Sequence, residues 1–90
     1  MRLDLFLKAS RLCPRRSVAQ QLCDAGLVLL NGTPVKSAHV VRVDDQLTIR
    51  KRDRELVVRV SSVPAARQTS RKDAATLYEL LSETPTNTDL

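Results

Sequence analysis

Pro14-Arg15-Arg16-Ser17-Val18-Ala19-Gln20-Gln21-Leu22-Cys23-Asp24-Ala25-Gly26-Leu27-Val28-Leu29-Leu30-Asn31-Gly32-Thr33-Pro34-Val35-Lys36 carries a helix, its stop signal and a hairpin in one unbroken run. Proline suits the first turn of a helix, where its missing N–H would have no partner anyway. Val18, Leu22 and Ala25 then recur at helical spacing, with Ala19 and Cys23 widening the stripe. Gly26 follows the last apolar position, as a left-handed C-terminal cap does. The spacing therefore predicts a helix over 14–25. Two β-prone runs, 27–30 and 33–36, flank Asn31-Gly32, a pair that tolerates the positive φ of a tight hairpin turn. Pro34 cannot donate to a ladder, which confines the return strand to an edge.

On the N-terminal side, Leu3, Phe6, Leu7 and Ser10 share one helical face, with Lys8 and Arg11 outside it. Asp4 lies in that helix's first turn, where a carboxylate complements the dipole. On the C-terminal side, 39–43 crosses over and Asp44-Asp45-Gln46 turns. Leu47-Thr48-Ile49-Arg50 alternates as a half-buried strand, Lys51-Arg52-Asp53-Arg54 turns again, and Leu56, Val58 and Val60 mark the returning strand. The expected fold class is α+β: two short helices followed by a small, mostly antiparallel β-sheet, all within 1–61. Residues 62–72 read as a polar linker. A short C-terminal helix is expected over 73–83, with Ala74, Leu77, Tyr78 and Leu81 on one face, and 84–90 as a disordered tail.

Ninety residues make one domain with a modest core, and 42% hydrophobic content suits a globular chain. Only 2% is aromatic, which argues against binding a strand by stacking bases on several rings. The net charge of +5 suggests an anionic partner. It is unevenly spread: +4 over 1–36 (six basic, two acidic), +3 over 37–67 (seven and four) and −2 over 68–90 (two and four). No apolar run resembles a signal peptide's h-region or spans a membrane. A cytoplasmic protein with reduced thiols is expected.

Catalytic and metal chemistry is not legible. His39 is the single histidine, beside Val40 and Val41, and reads as an ordinary strand or surface residue. Cys13 and Cys23 lack the company of a tetrahedral zinc site or of a base that would activate a thiol, and read as small buried apolar residues. The two glycines form no phosphate loop. No catalytic residue, metal or cofactor is expected.

Basic chemistry is legible. Arg2, Lys8, Arg11, Arg15 and Arg16 cluster early. Arg15 and Arg16 open the second helix, where unpaired N–H groups and the dipole favour an anion. Ser17 adds a hydroxyl, and Gln20 sits one turn beyond Arg16 on the same side. Arginine outnumbers lysine here, which suits bidentate phosphate contacts. Arg50, Lys51, Arg52 and Arg54 form a second basic group, interrupted by Asp53 and Glu55. It reads first as a charged turn that protects strand edges.

Taken in order, Arg2-Leu3-Asp4, Phe6-Leu7, Arg16-Ser17, Ala19, Gly26, Val28, Asn31-Gly32, Val35 and Asp44-Asp45 resemble the S4 RNA-binding domain over about residues 1–50. The tail, with Ala74-Ala75, Tyr78 and Leu80-Leu81, resembles short bacterial proteins of the RqcP type. The resemblance implies a non-enzymatic factor of ribosome-associated quality control. Such a factor binds the obstructed large ribosomal subunit, contacting its rRNA and the P-site peptidyl-tRNA. It assists RqcH in adding a C-terminal alanine tail to the stalled chain. Carried over by position, the RNA-contacting residues are Arg2, Lys8, Arg11, Arg15, Arg16, Ser17 and Gln20, with Lys36 flanking the hairpin; Arg2 and Arg16 stand in the most recognisable motifs. A monomer is the simplest expectation. Small heat-shock S4 proteins, which also bind free large subunits carrying a nascent chain, are the alternative. They have a strongly basic C-terminal extension, unlike the acidic 68–90 here. A generic structural RNA- or DNA-binding module is a further alternative, and the hairpin directly after the second helix favours the RNA module.

Overall fold

A computed structural model describes residues 1–63 and 74–85. Two helices, α1 (Leu3–Ala9) and α2 (Arg16–Asp24), precede five strands: β1 (Val28–Leu30), β2 (Thr33–Pro34), β3 (Gln46–Arg50), β4 (Arg54–Val60) and β5 (Tyr78–Pro85). The strands form one antiparallel sheet in the order β2-β1-β3-β4-β5. Leu3, Phe6, Leu7, Val28, Leu47, Ile49, Val58 and Val60 are fully buried between the helices and the sheet.

Local chemistry explains most boundaries. Gly26 takes φ 74° just past α2, and Asn31 and Gly32 take φ 51° and 86° in the hairpin turn, the left-handed values that such a two-residue connection needs. Pro34 sits on the edge strand β2. The crossover from Val35 to Val43 runs back over the start of α1, where the Leu3 and Asp4 N–H groups donate to the His39 and Ser37 carbonyls at 2.7 and 3.1 Å. The helix's first donors are thereby satisfied by backbone.

Three expectations change. The helix over 14–25 is shorter: Arg15 is its extended N-cap and Ala25 lies beyond it, exposed. Its buried stripe is Ala19–Cys23, small residues where α2 meets the core. The C-terminal helix over 73–83 is replaced by β5 from Tyr78 onward, paired with β4 from Val60 to Arg54. Ala74 and Leu77 are buried as the spacing implied, but in a turn whose Leu77 carbonyl accepts from Ser61 and Ser62. Beyond it, the open edge of β4 offers backbone partners that a short helix could not supply. A register shift opposite Val57 and Val58 places one extra residue, Leu81, in β5. Leu80 and Leu81 are consequently both about half exposed instead of alternating. Thr84 and Pro85, expected in the tail, belong to β5; the rest of that tail, 86–90, and most of the expected linker, 64–72, lie outside the described residues.

Candidate RNA-binding face

The face is organised by Asp4, whose side chain is fully shielded from solvent. One carboxylate oxygen, Oδ2, accepts three hydrogen bonds: from an Arg2 terminal nitrogen at 3.1 Å, from Arg16 Nε at 3.0 Å and from Gln20 Nε2 at 3.0 Å. Oδ1 accepts from the Leu5 N–H at 2.8 Å. Arg16 and Gln20 are one turn apart on α2, so a single face of that helix lies over the first turn of α1. Burial pushes the Asp4 carboxyl up, but the Gln20 and Arg16 hydrogen bonds, the Arg16 charge and the Leu5 N–H outweigh it. The net result is a pKa below the ordinary 3.8.

Both arginine side chains remain 42% exposed. Asp4 takes the inner nitrogen of Arg16 and leaves the two terminal nitrogens of this half-exposed side chain out of that hydrogen bond. Fixing the fork in advance lowers the entropy lost when it grips a phosphate. Arg2 Nε is buried with no hydrogen-bond partner among the described residues.

The structure brings together three of the sequence-predicted residues, Arg2, Arg16 and Gln20, through their hydrogen bonds to Asp4. Arg15 and Ser17 are exposed at the start of α2 beside them. Lys8 is exposed one helical turn past Asp4 on α1. Lys36 is exposed next to Ser37, whose carbonyl caps Asp4, so it borders the Arg2 end. Arg11 is the exception. It lies beyond α1 with φ 61°, not on that helix's polar face with Lys8.

Asp4 itself was missed as an organiser. The available signal was an acid at the margin of an apolar helical stripe inside a strongly basic segment. Elsewhere the charges pair locally: Arg50 with Glu55 and Arg54 with Glu83 at 3.1 Å, and Arg59 with both Asp44 and Glu79. Cys13 and Cys23 are free and buried. Burial raises the Cys13 thiol, and burial with neighbouring charge raises Cys23 to about 11, so both resist forming thiolates. Among the described residues no His/Cys/Asp/Glu group could hold a metal ion, and no helix is long and apolar enough to cross a membrane.

Residues 1–47 match the S4 domain family. The chain is 42% identical over 84 residues to the RQC P-site tRNA stabilizing factor of Streptococcus pneumoniae, covering 93% of each protein. It is 32% identical over 83 residues to heat shock protein 15 of Escherichia coli, covering 92% of this chain and 62% of that one. The trimeric structure of Vibrio cholerae heat shock protein 15 superposes with a TM-score of 0.80 at 30% identity, over 89% of this chain and 80% of that one.

Proposed function

The chain belongs to the S4 domain family, and from that membership we propose that it is a non-catalytic RNA-binding factor of ribosome-associated quality control. In this reading it acts in the cytoplasm on the obstructed large ribosomal subunit, holding rRNA and the P-site tRNA, and assists RqcH in alanine tailing. The observation that carries the reading is the buried Asp4 carboxylate holding Arg2, Arg16 and Gln20 on one surface. A buried acid that orients two half-exposed guanidinium groups is a costly way to stabilise a small fold and an effective way to present phosphate ligands. Arg15, Ser17, Lys8 and Lys36 extend that surface along the RNA backbone. Recognition is of RNA shape and phosphate more than base sequence. The similarity over 93% of the Streptococcus pneumoniae stabilizing factor, against 62% of heat shock protein 15, favours the tRNA-stabilizing role over the heat-shock one.

Sedimentation of tagged protein in a lysate gradient, with bound RNA sequenced, tests this. Co-migration with free large subunits enriched in tRNA is expected. Migration with the small subunit, or at the top of the gradient without RNA, overturns it. Purified large subunits should bind with log K falling against log salt at a slope of about −3 to −5, for roughly four to six phosphates contacted. A flat response excludes the arginine face as the main contact.

The protein acts as a monomer in this reading, presenting one such face per subunit. The trimer described for the Vibrio cholerae relative is the competing state. Light scattering on the eluted protein is expected to give a mass near 10 kDa rather than three times that value.

A further inference from the structure

Arg11 stands apart from the face built around Asp4. Among the described residues, positive φ occurs at two glycines, at Asn31, at Asp44 and at Arg11. Asparagine and aspartate favour that backbone through local hydrogen bonding; an arginine there is uncommon. Glycine would suit φ 61° better, so Arg11 holds a backbone conformation that its side chain disfavours.

The left-handed turn sends Arg11 past the end of α1 towards the β3–β4 turn and the outer sheet edge. There Arg11, Lys51 and Arg54 rim a pocket of about 180 Å³. Its floor includes the buried Leu12 and Leu56, and Tyr78, the single tyrosine, lines it half-buried. One acid, Glu83, borders it and holds Arg54 at 3.1 Å. Three cations beside leucine side chains and one aromatic ring match a nucleotide, which has a flat apolar base and an anionic phosphate.

We propose that this pocket takes one nucleotide of single-stranded RNA, its base against Tyr78 and its phosphate held by Arg11, Lys51 and Arg54. The inference rests on the RNA-binding reading above and adds a second contact to it. One aromatic ring suffices for one base, whereas the low aromatic content still excludes an extended stacking platform.

The test uses the full chain and a short 4-thiouridine-labelled oligouridine. Photo-crosslinking followed by peptide mapping is expected to label the segment containing Tyr78 as well as residues 2–20. Arg11→Gly is expected to leave the thermal midpoint unchanged or raise it, and to weaken oligouridine binding about tenfold, with Tyr78→Phe near wild type. The Lys51→Gln/Arg54→Gln variant should weaken binding similarly. Uridine monophosphate competing as well as the oligonucleotide would assign the pocket to free nucleotides and overturn the proposal. Absence of crosslinks in the Tyr78 segment, with both variants binding as wild type, overturns it while leaving the proposed function standing. Unfolding of Arg11→Gly makes Arg11 structural and leaves the Lys51/Arg54 variant to decide. Failure of wild type to bind either oligouridine or large subunits overturns both.

Discussion

Asp4→Ala is expected to lower the unfolding free energy by about 2–3 kcal/mol, a drop of roughly 10–20 °C in thermal midpoint for a domain this small. The substitution removes the acceptor for Arg2, Arg16, Gln20 and the Leu5 N–H together. It also takes the buried acceptor away from the Arg2 terminal nitrogen, whose Nε already lacks a partner among the described residues. The loss falls short of the 3–5 kcal/mol of a fully buried broken pair, because both arginines are partly exposed and recover hydration. Affinity for the large subunit should fall at the same time, since the forks lose their fixed orientation.

The same carboxylate sets an acid dependence. Its folded pKa lies below the ordinary 3.8, so its stabilisation is fully present above that value. It is lost progressively as pH falls below about 4 through the folded pKa. Asp4→Asn keeps the volume and removes the titration, so its melting temperature should vary less with pH in this window than that of wild type. Thermal melts followed by circular dichroism between about pH 2 and pH 7 measure both effects. An unchanged profile in Asp4→Asn would refute the assignment.

Arg16→Ala is expected to weaken large-subunit binding by about tenfold or more, as loss of charge-assisted phosphate contacts does. Viewed from the sequence, an exposed charge at a helix start should leave the fold untouched. The structure revises that expectation: Arg16 Nε is a partner of a buried carboxylate. Arg16→Ala should therefore also cost about 1 kcal/mol of stability, kept small because the arginine is half exposed and screened. Arg16→Lys separates the two roles. An ammonium can satisfy Asp4 or reach a phosphate, but it has no second arm held at a fixed angle. Stability should largely return in Arg16→Lys while binding does not. Equal recovery of both would show that charge alone matters at this position.

The two helices, the Gly26 stop, the Asn31-Gly32 hairpin and the strands at 47–50 and 55–60 were legible in the sequence. Each is specified locally, by a glycine that permits positive φ or by an apolar period that only one element satisfies. The cluster of basic residues was legible for the same reason: charge is counted, not folded. Three features were not. Ala74, Leu77, Tyr78 and Leu81 recur at helical spacing, yet the segment from Tyr78 is β5, because an unpaired edge on β4 recruits it and local periodicity carries no record of that edge. Arg11 fits helix one's polar face by numbering, and one left-handed residue takes it off that face to the rim of a pocket shared with Lys51 and Arg54. Asp4 and Arg16 are twelve residues apart, and only the packing of α1 against α2 makes one the buried anchor of the other. The sequence by itself determined the elements and the sign of the surface, since both follow from residue types and their spacing. Tertiary structure alone decided which cations are held in place, because burial of a carboxylate and capture of a strand by an open edge are contacts between distant segments.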